Sequence, residues 1–192
     1  MATGKVEQAM NLGLEDKVVI VTGGSKGIGA ACVEVFAEEG AIPVIVGRSP
    51  EVGKVLIEKC GRGVVIQAEL TSEEACENAI AKTLEEYGRI DGLVHNAGIN
   101  DQVGLRDGVE AFKGSLQKNL IHLYALTHHA LEALIASKGF IVNVTSKVAV
   151  TGQGGTSGYA ASKGAMNALT REWALDLAKH GVRVNSVVPA EV

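Results

Sequence analysis

The sequence predicts an α/β protein built on a doubly wound parallel sheet with helices on both faces. Short apolar runs, rich in β-branched residues, alternate with longer segments of helical periodicity along the whole chain. Continuously apolar strands that are separated by helices are typical of a parallel sheet covered on both faces. Right-handed crossovers between such strands give the doubly wound arrangement.

The apolar runs and the helical segments follow one another in a regular order. The predicted strands lie at 18–21, 42–46, 64–66, 90–94, 140–144 and 182–188. The predicted helices lie between them, at 27–39, 50–60, 72–88, 108–136 and 157–180. Three of these helical segments have a glycine at their C-terminal end: Gly40, Gly88 and Gly181. Glycine is common just past a helix C-terminus.

Length and composition indicate one globular unit and exclude several classes of protein. A chain of 192 residues with a formal net charge of −4 lacks the basic surface of a nucleic-acid-binding protein. No apolar run is long enough to cross a membrane. The three cysteines are unpatterned, as reduced thiols of a cytoplasmic protein would be, and the histidines show no metal-ligand spacing. We therefore expect a cytoplasmic protein without a metal site.

A glycine-rich turn follows the first predicted strand, in the run Thr22-Gly23-Gly24-Ser25-Lys26-Gly27-Ile28-Gly29. Glycines between a strand and a helix let the backbone approach a pyrophosphate, and the N–H groups at the helix start bind it. Because this turn precedes an alanine-rich helix, it predicts a dinucleotide site of the Rossmann type.

The end of the second predicted strand bears on the choice between NAD and NADP. NAD enzymes usually have Asp or Glu there to bind the ribose 2′-hydroxyl. This chain has Arg48 instead, and Lys26 lies in the glycine turn. Two cations without an acid suit a 2′-phosphate, so NADP is favoured over NAD. The alternative is a solvated Arg48, with the 2′-hydroxyl held by main-chain groups.

Tyr159 and Lys163 are four residues apart in a predicted helix, and Ser146 lies shortly before them on a strand-like segment. Positions i and i+4 share a helix face, so both side chains would point into one pocket. A fixed ammonium stabilises the phenolate over the phenol, which would make Tyr159 a usable proton carrier at neutral pH. Taken alone, the same spacing also fits a surface tyrosine and a solvated lysine.

Taken together, these residues resemble the short-chain dehydrogenase/reductase family. Residues 22–29 match its TGxxxGxG turn, and residues 95–98 match its NNAG motif except at His95. Four positions match its catalytic residues: Asn119, Ser146, Tyr159 and Lys163. The resemblance covers residues 14–192. It implies a hydride transfer between a nicotinamide cofactor and an alcohol or carbonyl.

Several stretches are similar to a narrower group, the bacterial L-fucose dehydrogenases and related sugar 1-dehydrogenases. They include residues 97–101, 119–122, 152–154 and 189–192. This similarity implies that the substrate is an aldose such as L-fucose, oxidised at its C1 hydroxyl to a lactone. A polar pocket would suit such a substrate, because buried donors and acceptors need matching hydroxyls.

The resemblance assigns cofactor and substrate contacts to individual residues. The implied cofactor contacts are Thr22, Gly23, Ser25, Lys26, Gly27, Ile28, Gly29, Arg48, Glu69, Leu70, Asn96, Ala97, Gly98, Tyr159, Lys163, Pro189 and Val192. The implied substrate contacts are Asn100, Ser146, Lys147, Gln153, Tyr159 and Glu191. Glu69 is a departure from the family pattern, because the family often has Asp at this position, which the resemblance places at the adenine.

The organisation expected of the whole chain is a flexible lead-in over residues 1–13 and a single dinucleotide-binding domain over 14–192 that also carries the catalytic residues. The sixth predicted strand would leave a long apolar sheet edge, which folded proteins normally cover. The family continues there with lid helices and a seventh strand, so we expect a longer protein. The long helices also resemble those with which the family forms homo-dimers and homo-tetramers.

Two other functions fit the same sequence. One is a 3-oxoacyl thioester reductase, or another carbonyl reductase of the family, because the four catalytic residues are shared. The other is a dinucleotide-binding regulator without catalysis. The presence of the proton-handling residues argues against the regulator, which would not need them.

Overall fold

The computed structural model describes residues 12–190, which form one sheet with helices on both faces. The strands are β1 (Val18–Thr22), β2 (Ile42–Gly47), β3 (Val64–Gln67), β4 (Gly92–His95), β5 (Phe140–Val144) and β6 (Arg183–Val187). Their order in the sheet is β3-β2-β1-β4-β5-β6, and all five neighbouring pairs are parallel. The predicted fold class is therefore confirmed.

Six α-helices connect these strands. They are α1 (Gly27–Glu38), α2 (Pro50–Cys60), α3 (Glu73–Tyr87), α4 (Gly108–Leu116), α5 (His122–Ser137) and α6 (Ser157–Ala178). Short 3₁₀ turns lie at Leu105–Asp107 and Lys147–Ala149. None of the helices within residues 12–190 combines the length and the apolar character needed to cross a membrane.

The segment predicted as one helix over 108–136 contains a wider turn in its middle. A π-helical turn, Gln117–Ile121, joins α4 to α5 without a break in the helical backbone. Such a turn adds a residue to the helical repeat and is often found at functional sites. The hydrophobic period could not indicate it, because α4 and α5 keep ordinary helical spacing on either side.

Alternate residues of the strands supply the two halves of the core. On β1, Val18 and Ile20 pack with α3, α5 and α6, whereas Val19 and Val21 pack with α1 and α2. Successive strand side chains point to opposite faces, so a strand that is apolar throughout is buried on both. The two helical layers thereby cover the two faces of the sheet.

A buried carboxylate ties the amino edge of the sheet together. Asp91 accepts two hydrogen bonds from Arg89, at 2.6 and 2.7 Å, and one from the Val18 N–H at 3.0 Å. Lys17 adds an ion pair at 3.4 Å. Burial alone would raise the pKa of Asp91, but the Arg89 hydrogen bonds, the Val18 N–H and the two cations together hold it below its usual value.

We expect Asp91→Asn to lower the free energy of unfolding at pH 7 by about 1–3 kcal/mol, because the variant leaves charged donors poorly paired. A carboxyl whose pKa is lowered on folding stabilises the protein above the unfolded-state pKa, near 4. That contribution disappears as the pH falls through the lower folded-state pKa. Urea unfolding of both proteins at pH 7 and pH 3 measures this, and the gap between them should narrow at pH 3. An equal gap at both pH values would contradict the prediction.

Candidate active site

A cleft of about 950 Å³ opens at the carboxyl ends of the strands. The winding of the sheet reverses between β1 and β4, and ligands of doubly wound proteins bind at this point. The glycine turn forms one part of the cleft wall, Asn96 to Ile99 another, and Val144 to Ser146 a third. Tyr159 and Lys163 face it from α6. Residues far apart in the sequence thus meet because their strands end at the same edge.

The glycine turn is closely packed, and two of its glycines are required. Gly23 has a backbone φ of +64°, which residues other than glycine rarely adopt. A Cβ on Gly29 would lie 2.4 Å from the Gly23 carbonyl oxygen and 2.5 Å from Asn96 Nδ2. Asn96 Nδ2 in turn donates to the Thr22 and Gly23 carbonyls, at 3.0 and 3.2 Å. The start of α1 therefore packs so closely against the turn that a side chain at Gly29 would overlap it.

Thr22 supports the cleft from behind. Its buried hydroxyl donates to the Val94 carbonyl at 3.2 Å and accepts from the Asn96 and Ala97 N–H groups, both at 3.0 Å. This hydroxyl fixes the chain as it leaves β4. Thr22 does not line the cleft itself, so its part in a cofactor site is to position the neighbouring backbone.

The end of the cleft beside β2 and β3 is lined by two cations and one acid. Lys26, at the start of α1, and Arg48, just past β2, both line it. Glu69 lines it too, and its carboxylate accepts from the Thr71 N–H at 3.3 Å and from the Thr71 hydroxyl at 3.1 Å. The first turn of α1 carries no acidic residue. This end is consequently suited to phosphate groups.

Lys163 is buried at the centre of the other end. Its Nζ donates to the Val144 carbonyl at 2.8 Å and lies 5.6 Å from the centroid of the Tyr159 ring. Burial lowers the pKa of Lys163 to about 8, because the ammonium has lost most of its hydration. Below that pH the amine is protonated. A positive charge is therefore fixed beside the tyrosine at neutral pH, as the i and i+4 spacing predicts.

Asn119 lies in the π-helical turn and is fully buried behind the cleft wall. Its Oδ1 accepts from the Ile99 N–H at 2.7 Å, and its Nδ2 donates to the Ser115 carbonyl at 3.0 Å. A Cβ on Gly98 would meet Asn119 Oδ1 at 3.1 Å and Lys163 Nζ at 3.5 Å. The amide and the ammonium thus flank Gly98 closely, which brings two of the predicted catalytic residues together.

Ser146 caps the short 3₁₀ turn after β5. Its hydroxyl accepts from the Val148 N–H at 3.4 Å, and the residue lines the cleft together with Tyr159 and Lys163. The strand β5 carries Ser146 to the sheet edge, whereas α6 carries the other two. The four predicted catalytic residues therefore come from three separate elements around one end of the cleft.

Two buried histidines, His95 and His122, lie next to this end, and the sequence motifs assigned neither of them a role. The Nε2 of His95 lies 2.9 Å from the Thr127 hydroxyl, and His122 is almost completely buried. Burial and the Lys163 charge lower both pKa values, that of His122 to about 4. Both rings are consequently neutral at physiological pH. His95, at the first position of the NNAG motif, is a fully buried residue at the end of β4.

Most of the predicted site residues line the cleft, and some do not. The predicted residues that line the cleft are Gly23, Ser25, Lys26, Ile28, Arg48, Glu69, Leu70, Asn96, Ala97, Gly98, Ser146, Tyr159, Lys163 and Pro189. Gly27 and Gly29 lie in the first turn of α1, beside that lining.

Three of the predicted substrate residues are not part of this lining: Asn100, Lys147 and Gln153. Glu191 and Val192 lie outside the described residues, as does most of the predicted lead-in. Asp101 and Lys118 are among the lining residues to which the sequence assigned no role. Their side chains are 3.5 Å apart, and only the folded chain brings them to the cleft.

The cleft fits a nicotinamide dinucleotide. Gly23 and Gly29 pack closely in the turn and carry no side chain, and Lys26 and Arg48 stand at the end that suits phosphate groups. Asn96, Ala97, Gly98 and Lys163 would hold the nicotinamide ribose half. Among residues 12–190 no three His, Cys, Asp or Glu side chains cluster as a metal site would require.

Comparison with known proteins agrees with this geometry. A family model described as short chain dehydrogenase matches residues 17–192. The chain is 38% identical to L-fucose dehydrogenase of Mus musculus over 178 residues, which are 92% of the chain and 65% of that protein. It is 37% identical to L-fucose dehydrogenase of Bos taurus, over 96% of the chain and 69% of that protein. The chain thus spans about two thirds of the length of these relatives.

A solved structure of Cj0485 dehydrogenase superposes with a TM-score of 0.90. It is 39% identical in sequence, and the match covers 95% of the chain and 71% of that protein. The similarity to L-fucose dehydrogenases that the sequence motifs indicated is therefore confirmed, here with mammalian relatives.

Proposed function

The chain belongs to the short-chain dehydrogenase/reductase family, and we propose that it oxidises the C1 hydroxyl of an aldose such as L-fucose to a lactone with NADP. The single observation that carries the chemistry is the fixed charge of Lys163, 5.6 Å from the Tyr159 ring in a cleft that Ser146 also lines. The named relatives support the substrate class.

Tyr159 acts as the general base toward the substrate hydroxyl. The Lys163 ammonium lies in the same cleft, 5.6 Å from the centroid of the Tyr159 ring, a distance typical of cation–ring contacts. Ser146 donates to the reacting oxygen and orients it. The bound cofactor supplies the hydride acceptor. In the reverse direction Tyr159 returns the proton to the carbonyl oxygen.

Lys163 has a second role at the same atom. Its Nζ is already tethered to the Val144 carbonyl at 2.8 Å, so its position is fixed before any ligand arrives. The remaining protons of the ammonium can bind ribose hydroxyls. Asn119, across Gly98 from Lys163, anchors a water that connects the ammonium with solvent and gives the proton an exit.

A substrate screen tests the proposed function. L-Fucose and D-arabinose are supplied with NADP or NAD, and, in parallel, an acetoacetyl thioester is supplied with NADPH. Reduction of NADP by a sugar supports the proposal. Oxidation of NADPH by the thioester alone would favour the thioester reductase, and cofactor binding without turnover of any substrate would favour a regulator.

The cofactor preference is tested at Arg48. Arg48→Asp should shift the ratio of kcat/KM for NADP to that for NAD about 100-fold toward NAD. The change removes a charge-assisted contact with the 2′-phosphate and supplies an acceptor for a 2′-hydroxyl. Kinetics with both cofactors measure the ratio. Arg106→Asp, an equal charge change at an exposed residue outside the cleft lining, is the control. An unchanged ratio in Arg48→Asp would show that Arg48 does not read the 2′-phosphate.

We also propose that the protein forms a homo-dimer or homo-tetramer. The support is a group of large apolar side chains that α5 and α6, with the turn before α5, expose to solvent: Ile121, Tyr124 and Leu175. Such residues are commonly covered in assemblies.

A further inference from the structure

We infer that Asp101 is a positioning residue that acts through Ser115 to orient Asn119. This inference rests on the proposed function, in which Asn119 serves the proton exit from Lys163. Asp101 lies on the loop that follows β4 and lines the cleft, and its side chain is 11% exposed. Neither the sequence motifs nor the family resemblance gave it a role.

Asp101 takes the only proton that the Ser115 hydroxyl can donate. Ser115 Oγ donates to Asp101 Oδ1 at 2.8 Å, and Ser115 is fully buried on α4. A hydroxyl has one donor hydrogen and two acceptor lone pairs. Once the carboxylate has accepted that hydrogen, the oxygen can only accept from its other neighbours. Without Asp101, the hydroxyl could donate back to a carbonyl of its own helix, as buried serines often do.

The neighbour that meets this oxygen is the Asn119 amide. Asn119 Nδ2 lies 3.4 Å from Ser115 Oγ and 3.0 Å from the Ser115 carbonyl, so the NH₂ group faces two acceptors. On the other side, Asn119 Oδ1 accepts from the Ile99 N–H at 2.7 Å. A flipped amide would oppose donor to donor at Ile99 and acceptor to acceptor at Ser115. Because the Ser115 hydroxyl oxygen accepts a hydrogen bond from Asn119 Nδ2, it adds to the preference of the Asn119 amide for the observed orientation.

The same serine also contacts the helix that carries Tyr159. A Cβ on Gly158 would lie 2.4 Å from Ser115 Oγ, so α6 begins directly against the hydroxyl. The Gly158 N–H donates to the Val103 carbonyl at 3.1 Å, which ties the loop from Asp101 onward to the start of α6. Asp101 and Ser115 therefore lie where α4, α6 and the loop after β4 meet, between the amide of Asn119 and the tyrosine.

Lys118 balances the charge of Asp101 from the cleft side. Its Nζ lies 3.5 Å from Asp101 Oδ2, the oxygen that Ser115 does not use. The two carboxylate oxygens thus have different partners. A role through Ser115 can be separated from a role through Lys118 because an amide in place of the carboxylate keeps an acceptor but loses the charge.

The test combines turnover with hydrogen exchange of the Ile99 amide. Asp101→Ala should lower kcat about tenfold, with the KM for the cofactor within about twofold of wild type. In a Ser115→Ala background the same change should lower kcat less than about twofold, because residues that act through one another are not additive. Asp101→Asn, whose carbonyl oxygen can still accept from Ser115, should restore kcat to within about threefold of wild type. Glu110→Ala, which removes an exposed ion-paired acid on α4, is the control.

Hydrogen exchange, followed by NMR on the protein without ligands, needs no turnover. In Asp101→Ala the Ile99 amide should exchange about tenfold faster, since its acceptor is less well held. The Asn96 amide, which donates to Thr22, should not change.

Several results would overturn the inference. They are additive kcat losses in Asp101→Ala and Ser115→Ala, unaltered Ile99 exchange, or an Asp101→Asn variant as slow as Asp101→Ala. Should the wild-type protein turn over no substrate, the proposed function fails, and the exchange data still decide whether Asp101 positions Asn119.

Discussion

Tyr159→Phe should lower kcat by about 10³-fold, equivalent to about 4 kcal/mol of transition-state stabilisation. Phenylalanine keeps the ring and its contact with Lys163 but has no hydroxyl to accept the substrate proton. The Lys163 ammonium would then stand beside a group that cannot ionise. Because Lys163 remains tethered to Val144, cofactor affinity should stay within about threefold of wild type. Steady-state turnover and a fluorescence titration with NADPH measure the two quantities separately.

A matched variant guards against a general effect of removing a phenol. Tyr87→Phe changes a half-buried tyrosine at the end of α3, away from the cleft lining, and should keep full turnover. Both variants should unfold at temperatures close to that of the wild type. If Tyr159→Phe retained normal turnover, another group would have to carry the proton, and the assignment of Tyr159 would be wrong.

Much of the fold follows from short-range pattern. Each predicted apolar run overlaps a strand of the sheet. Of these, β1 and β2 are almost fully buried and apolar in both directions, whereas β6 at the edge is largely exposed. Glycines that follow helices, such as Gly88 with a φ of +69°, occupy the left-handed position that ends them. The i and i+4 spacing of Tyr159 and Lys163 likewise places them on one helix face without any tertiary contact.

The parts that could not be predicted depend on contacts between distant segments. The π-helical turn contains Asn119, whose side-chain Oδ1 accepts a hydrogen bond from the Ile99 N–H on the loop after β4. Asp101 reaches the cleft through the fold of that loop, and its partner Ser115 lies on α4. Asn100, by contrast, was expected in the substrate pocket for its polarity, yet its Oδ1 accepts from the Gln102 N–H at 3.3 Å within an exposed loop. Residue type alone does not distinguish a pocket residue from a loop residue.

Gly29→Ala should weaken cofactor binding by at least about 100-fold, or about 2.7 kcal/mol. The new Cβ would lie 2.4 Å from the Gly23 carbonyl oxygen, which is backbone and cannot rotate aside. It would also lie 2.5 Å from Asn96 Nδ2, the group that holds the Thr22 and Gly23 carbonyls. The helix α1 must therefore move away from the turn. That movement carries the N–H groups at its start away from the pyrophosphate they would bind.

The same overlap should also destabilise the protein without ligand, by about 1–3 kcal/mol, as overpacked sites commonly do. Gly114→Ala is the matched control, because Gly114 lies inside α4 and a Cβ there meets no atom within 4 Å. Alanine favours a helix over glycine by about 0.5–1 kcal/mol, so this variant should bind the cofactor normally and unfold at a slightly higher temperature. Isothermal titration with NADPH and NADH, together with thermal unfolding, separates the two effects. Normal cofactor affinity in Gly29→Ala would mean that the close packing of the turn does not shape the cofactor site. A loss in both variants would point instead to a general sensitivity of the fold to added methyl groups.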